Sequence, residues 1–477
     1  MTFKPVIFAA LLLGTAHYTS ANDNLPILGD STSSIISLDK EYKIGQAWAR
    51  SLRGNAPLLN DPITYSYLYD LVWQLAAYSQ LQDRRLDLVI LDNPTLNAFA
   101  VPGGVVGIHG GLLLSAEQED ELASVITHEF AHLSQRHFAS QLEQARRNRP
   151  LSLATILGSI LILAADSSAG TAALTTSIAA QQASRLAFSR QNEQEADRIG
   201  MQNLVEAGID PNAMPRMFAR MQRSLRFEGA KPPEFLLTHP VTESRIADSL
   251  NRAAQLPTPP KRRNALDFTI IRIRMAVHFT KNPQDAFNYY QNASNNNADA
   301  KNLYGLALAA IRLNKFSAAQ SALEKLPTDW KNHRFVRLTL VENTLSNEQW
   351  QNAIGELTHL NSLYPGDFAV YKLLAKAFMG AKQPEKATKV LEQLIEDHPN
   401  DVDAWYLLSE ALGQAGKRLA VHEARTEYFL LTGQVDRALQ QILFANREPN
   451  LSESDRARLS QLESDAKRIR EEMKMDL

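Results

Sequence analysis

The chain has 477 residues, 21% charged and 44% hydrophobic, with 50 basic against 52 acidic side chains and no cysteine. That length allows two to four domains and at least one sizeable core, while a net charge of −2 gives no broad pull toward nucleic acid. Zero cysteines exclude a disulfide framework, a thiol nucleophile, thiolate metal sites and a lipoprotein anchor, so any metal must be held by nitrogen and oxygen.

Lys4, the apolar run Val6–Leu13 and the small residues ending at Ala21 have the order of a cleavable secretory signal, predicting a signal peptide over 1–21. The run is well short of the ~20 apolar residues a span needs. An exported chain of this kind fits the periplasm. Residues 22–36 read as a loose arm. Apolar Ile44, Ala47, Trp48 and Leu52 share a helical face from about Leu38, and helical patterning resumes over about Ile63–Leu81. Leu86–Leu91 reads as a buried strand. Asn97–Val101 and Val105–Ile108 flank Pro102-Gly103-Gly104 as two strands about a turn, either of which could offer an edge to an extended substrate. Ser115 with Gln118 gives a capping-box signal, predicting a helix from there to about His137.

Residues 151–184 are nearly uncharged, with Asp166 the only charge, and their length favours a buried or membrane-touching helical hairpin over a transmembrane pair. Pro257, Pro259, Pro260 and Lys261-Arg262-Arg263 mark a linker. Beyond it the chain repeats. Tyr371, Leu374, Ala375, Phe378, Ala387, Leu391 and Pro399 set a pattern that Trp405, Leu408, Ser409 and Leu412 restart 34 residues later, with weaker copies near Tyr304 and Arg337. That period and residue grammar predict tetratricopeptide helix pairs, closed by a charged capping helix through Leu459, Leu462, Ala466, Ile469 and Met473. The expected fold is mostly α: a domain with a small β-sheet over 22–256, then the repeat array over 264–477.

The chemistry centres on His128-Glu129-Phe130-Ala131-His132. Histidines four apart on a helix stand on one face and can share one Zn²⁺, and Glu129 adjoins the first of them, where it can deprotonate zinc-bound water of pKa about 7. A chain with 11 histidines meets this motif by chance at roughly the 1% level. His137 lies roughly 140° round a continuous helix from His132 and roughly 180° from His128, which excludes it from the same site. In Arg190–Asp197, Glu193 and Asp197 share a face and Glu195 points elsewhere. By spacing alone they serve equally as a third ligand with its supporting carboxylate or as a solvated acidic turn.

His128-Glu129-x-x-His132 with Glu193-x-x-x-Asp197, preceded by Asn97–Gly104, resembles the gluzincin family of CAAX prenyl endopeptidases and heat-shock protease X. The resemblance implies His128, His132 and Glu193 as ligands of one zinc ion per chain, Glu129 as general base and Asp197 as support for a ligating histidine. The multiple spans of the family's membrane-embedded members are missing, which points away from prenyl-protein processing. His239, in His-Pro-x-x-x-x-Arg with Arg245, matches a pattern also seen in this family. Two roles are open to it: stabilising the oxyanion, or occupying the fourth metal position and holding the enzyme inactive.

Signal, peptidase and repeats together resemble the family's periplasmic, repeat-bearing members. This implies cleavage of misassembled outer-membrane β-barrel proteins, partners in the barrel-assembly machinery bound through the repeats, and a place at the inner face of the outer membrane. Peripheral membrane contact would run through 151–184. The alternative, from another functional class, is a chaperone or assembly scaffold in which proteolysis is secondary.

Overall fold

The computed structural model describes residues 37–140, 189–227, 233–259 and 265–474. The expected signal, the arm and the 151–184 stretch lie outside them. Helix α1, Leu38–Asn55, starts where the Ser37 hydroxyl accepts the Lys40 N–H, and buries Ala47, Trp48 and Leu52. Helix α2, Pro62–Ala77, has proline in its first turn and Asp61 accepting the N–H groups of Ile63 and Thr64.

Strands β1 (Asp87–Leu91), β2 (Ala98–Val101) and β3 (Val105–His109) form a sheet in the order β1-β3-β2, with β1 parallel and β2 antiparallel to β3. The turn between β2 and β3 requires positive φ at Gly103 and Gly104 (83° and 80°), which only glycine adopts without strain. Every residue of β1 and β3 is buried, which is why β1 is apolar on both faces from Leu88 to Leu91, while buried Asp87 is paired with Arg53. Because β3 is paired on both sides, the outer edge offered to a ligand belongs to β2 and not to Val105–Ile108.

Ser115 does not open the next long helix. It closes a short one, α3 (Gly110–Ser115), and α4 runs Glu119–Ser134. The N-cap, Gln118, makes no side-chain cap; the Glu121 carboxylate instead accepts the Glu117 N–H just ahead of it at 2.8 Å, and Glu119, Asp120 and Glu121 together favour the positive end of the helix dipole. The C-terminus also falls short of His137, since Arg136 turns into the left-handed region at φ 53°. Helices α5 (Arg190–Glu206), α6 (Ala213–Phe227), α7 (Glu234–Thr238) and α8 (Glu243–Ala253) complete the site-bearing half.

After the helices Ala265–Phe279 and Pro283–Asn296, four helix pairs begin at residues 300, 334, 368 and 402, each 34 after the last. Small side chains recur where helices meet. Ala307, Val341, Ala375 and Ser409 are buried at that interval, as are Ala319, Ala353 and Ala387. The final helix, Glu453–Lys474, packs on α1 and buries Leu459, Ala466 and Ile469. No helix among the described residues is long and apolar enough to cross a membrane.

The repeats do not hang free of the half that precedes them. One buried apolar cluster runs from Leu59 through the sheet and α4 to Ala424. The Tyr65 ring on α2 lies 4.1 Å from that of Phe368, and the Ser66 hydroxyl donates to Asp367 at 3.0 Å. Buried Arg274, in the first helix past the linker, donates to both Asp61 oxygens (3.1 and 2.9 Å) and to both Glu342 oxygens (3.0 Å each). It ties the cap of α2 to the 334–346 helix. Replacing one member of such a pair leaves the others buried and unpaired. Arg274→Met is expected to cost about 2–4 kcal/mol in urea unfolding followed by circular dichroism, discounted for the partial exposure of Glu342. A change within 0.5 kcal/mol of wild type would show that the clamp contributes little.

Candidate active site

Helix α4 carries His128, Glu129 and His132 on its buried length. Helix α5 lies close against it because Gly200 has no side chain. A Cβ there would sit 3.1 Å from the N and Cα of His128, tighter than ordinary contact. Ala196 and Ile199 pack with Ala131 in a small satellite core beside this approach. The result sets Glu193 and Asp197, one turn apart on α5, against the two histidines. The loop between α7 and α8 brings in His239, whose ring stacks on Phe235 at 4.7 Å.

His128 Nε2 lies 3.1 Å from His132 Nε2 and 3.4 Å from His239 Nδ1. Glu193 Oε1 lies 2.9 Å from His239 Nδ1 and 3.4 Å from His132 Nε2, and Glu193 Oε2 lies 3.6 Å from His128 Nε2. One ligand atom from each of these four buried residues falls within 4.8 Å of every other. A tetrahedral ion with bonds of about 2.0–2.1 Å requires edges of about 3.3 Å between its ligand atoms. The donor set and its spacing therefore fit a metal ion. Glu129 is buried beside it, its Oε1 3.6 Å from His239 Nε2 and without a hydrogen-bond partner among the described residues.

The expected support from Asp197 is present as geometry: its Oδ1 lies 3.0 Å from His128 Nδ1. Arg245, a peripheral candidate in the sequence, is central here. Its Nε and Nη2 donate to the two Asp197 oxygens at 2.8 and 2.7 Å, its Nη1 lies 2.6 Å from Glu193 Oε2, and Nη1 also donates to the Pro240 carbonyl at 2.8 Å. One guanidinium thus joins both carboxylates of α5 to the His239 loop.

His137 is not among the four grouped ligand residues, but the expectation that α4 carries it away from His132 fails. It is excluded as a ligand on the assumption of a continuous helix, but the left-handed turn at Arg136 brings its Nδ1 to 3.0 Å from His132 Nδ1. Glu195 does not point away from everything either, since its Oε2 lies 3.2 Å from His137 Nε2. No pattern in the sequence marks Arg136 as a helix breaker. Its conformation is held by Glu41, whose Oε1 accepts from Nη2 at 2.7 Å and from Nε at 3.1 Å.

Ionisation follows from burial and neighbours. Burial pushes the His132 imidazole well below its usual range, keeping it in the neutral form a metal needs. Burial works to raise Glu193, but His239 and His132 outweigh it and hold the carboxyl well below the usual range. Asp197 is likewise held low, against its burial, by Arg245 and His128. Burial raises Glu129, which also accepts a hydrogen bond from the Ala100 backbone on β2.

A helical metallopeptidase with a mixed three-stranded sheet and a tetratricopeptide array is the class these features define. The family model of peptidase family M48 matches residues 62–253, and a tetratricopeptide repeat model matches 344–412. The Beta-barrel assembly-enhancing protease of Escherichia coli (strain K12) is 32% identical over 95% of this chain and 93% of its own length. The protein of the same name from Yersinia pestis is 32% identical over 92% of this chain and 90% of its own. The mitochondrial metalloendopeptidase OMA1 of Schizosaccharomyces pombe is 31% identical over 50% of this chain and 69% of its own. The chain belongs to peptidase family M48 and is a metalloendopeptidase bearing tetratricopeptide repeats.

A titratable cluster flanks the site at the start of α7. Glu234 accepts from Thr95 Oγ1 and Asn97 Nδ2, each at 3.3 Å, and lies 3.7 Å from His109 Nδ1. Burial pushes the Glu234 carboxyl up to about 7, outweighing those two hydrogen bonds, and pushes His109 down to about 3. A carboxyl that binds its proton more tightly folded than unfolded loses stability as pH rises between the two values. The contribution of Glu234 to stability should therefore fall from about pH 4.5 to about pH 7 and level off above, while the depressed His109 contributes a slope of opposite sign below about pH 6.5 in wild type and variant alike. In Glu234→Gln that slope should flatten, leaving the variant more stable than wild type at pH 8 by on the order of 2 kcal/mol. Parallel unfolding curves for the two proteins across this window would rule the effect out.

Proposed function

We propose that this chain is an exported zinc endopeptidase of the periplasm that cleaves misassembled outer-membrane β-barrel proteins. The reading takes residues 1–21 as signal peptide, 22–256 as the peptidase and 264–477 as the repeat domain. It rests above all on four buried ligand atoms, from His128, His132, Glu193 and His239, at the edge lengths of a tetrahedral site, with Glu129 beside them. The relatives' shared name supports the substrate class.

Zn²⁺ bound by His128, His132 and Glu193 would supply Lewis acidity toward a peptide carbonyl and lower the pKa of water to about 7. Glu129 takes the proton from the attacking water and returns it to the leaving amine, and its raised pKa suits both transfers. Asp197 fixes the ring of His128. The outer edge of β2, paired with no strand among the described residues and joined to Glu129 through the Ala100 N–H, aligns an extended substrate as an added strand. His239 would serve as a fourth ligand that closes the site, since its Nδ1 lies among the other ligand atoms and not only near them.

The repeats present substrate or the barrel-assembly machinery. A cavity of about 440 Å³ between β1 and the repeats favours this, lined by Tyr65, Tyr69, Trp73, Lys372, Tyr406 and Tyr428 among others. Action at the inner face of the outer membrane, with 151–184 touching the bilayer, completes the proposal. The same cavity favours the scaffold reading as the alternative.

Purified wild type should hold one zinc per chain, and His132→Ala should hold far less. Equal zinc in the two would remove the metal site. Glu129→Gln should retain zinc and lose peptide hydrolysis by at least about 10²-fold. Full rescue of outer-membrane assembly in cells by that inactive variant would favour the scaffold reading. His239→Ala should retain zinc and cleave an unfolded substrate several-fold faster than wild type if the residue caps the metal. A loss of more than tenfold with zinc retained would assign it instead to the oxyanion.

A further inference from the structure

We propose that His137 and Glu195 are positioning residues for His132, forming a carboxylate–imidazole–imidazole chain that ends on the metal. The inference rests on the metal-site reading above but concerns two side chains outside its ligand set. His132 turns Nε2 toward His128 and Glu193, at 3.1 and 3.4 Å. For Nε2 to offer its lone pair, the ring proton must sit on Nδ1, and Nδ1 faces His137 Nδ1 at 3.0 Å. His132 therefore donates and His137 accepts. That fixes the His137 proton on Nε2, where it is donated to Glu195 Oε2 at 3.2 Å. Each proton then has one consistent place, read outward from the metal.

The two histidines of α4 are thus oriented by different means. His128 meets a carboxylate directly, through Asp197. His132 meets one at a remove, through a neutral ring. Both carboxylates come from α5, on either side of buried Ala196, so a single turn of that helix supplies Glu193 and anchors both rings. The arrangement also requires a break in regular structure. Had α4 continued, His137 would point roughly 140° away from His132. The left-handed Arg136 and its ion pair to Glu41 replace that continuation, and a non-glycine residue is held there at an energetic cost. His137 is 3% exposed, so its ring is fixed by packing as well as by the two hydrogen bonds.

Partners of this kind typically contribute 10–100-fold in metal affinity. Zinc dissociation constants of the purified full chain, from competition with a chromophoric chelator, test the chain of contacts. His137→Ala is expected to bind zinc roughly 10–100-fold more weakly. Glu195→Ala is expected to lose a smaller factor, about 3–10-fold, and to cost nothing further when added to His137→Ala. His137→Asn, whose Oδ1 can take the place of Nδ1 as acceptor, should recover most of the affinity and make Glu195→Ala silent. The cobalt-substituted protein gives a second readout, since a shift of its ligand-field bands in His137→Ala and its return in His137→Asn reports ring orientation at the metal. Circular dichroism of the apo proteins identifies any variant that fails to fold, and the asparagine variant then carries the test. Wild type that binds zinc, with all variants within twofold of it and an unshifted cobalt spectrum, overturns this inference alone. Wild type that binds no zinc overturns the metal-site reading beneath it.

Discussion

Glu193 and Asp197 stand one helical turn apart, both buried, and both must be ionised for the site to work. Two such charges on one face repel each other and each loses its hydration. Arg245 resolves this by lying across both, bidentate to Asp197 and 2.6 Å from Glu193. The guanidinium is also buried and needs the two carboxylates as much as they need it, so the triad forms as a unit or not at all. Its contact to the Pro240 carbonyl extends the unit to the loop bearing His239. Glu193, Asp197 and the His239 loop thus share one anchor, and the loop cannot leave without disturbing a buried ion-pair network. The placement of His239 is in this sense tied to the electrostatics that keep Glu193 ionised.

The same economy of elements governs the packing. Gly200 lets α5 reach the backbone of α4, and from that one approach come Glu193, Asp197 and Glu195. On the opposite side, α2 serves both halves of the chain. Its cap residue Asp61 is held by Arg274, and its Tyr65 packs on Phe368, so the helix beneath the site is also the helix on which the repeats are mounted. The repeats run on to a last helix that returns to α1. A load on the repeat array therefore reaches the peptidase through two contacts at different points of its surface, not through the linker alone.

What could be read beforehand was whatever the chain encodes locally and periodically. The His128–His132 spacing, the Glu193–Asp197 spacing and the 34-residue recurrence of small residues are short-range geometry, and each survives in the structure. The failures share one cause. Whether Ser115 opens a helix or closes one depends on Glu121 accepting the Glu117 N–H beyond it, and whether His137 follows α4 depends on Arg136 being held by a glutamate 95 residues away. Arg274 looks like any half-buried arginine until Asp61 and Glu342 are placed around it. Period and propensity describe a segment against its neighbours in sequence. They carry nothing about a conformation that only a distant partner stabilises.

The sheet adds a geometric constraint on how substrate and repeats can cooperate. With β3 in the middle, its two outer strands face different things: β2 adjoins Glu129, while β1 faces the cavity shared with the repeats. The outer edge of β1 is already in use at one end, where the Leu59 N–H donates to Ile90 and the Asp92 N–H to Pro57. Strands spaced about 4.8 Å apart put the two edges about 10 Å from each other, on opposite sides of a buried layer. One extended segment cannot occupy both. Under the proposed function, a polypeptide held in the cavity would have to turn back around the sheet before being cut, or a different molecule would be held there while the substrate enters along β2. In either case the repeats do not simply lengthen the substrate groove. The cavity and the edge of β2 are separate places, set apart by the width of the sheet.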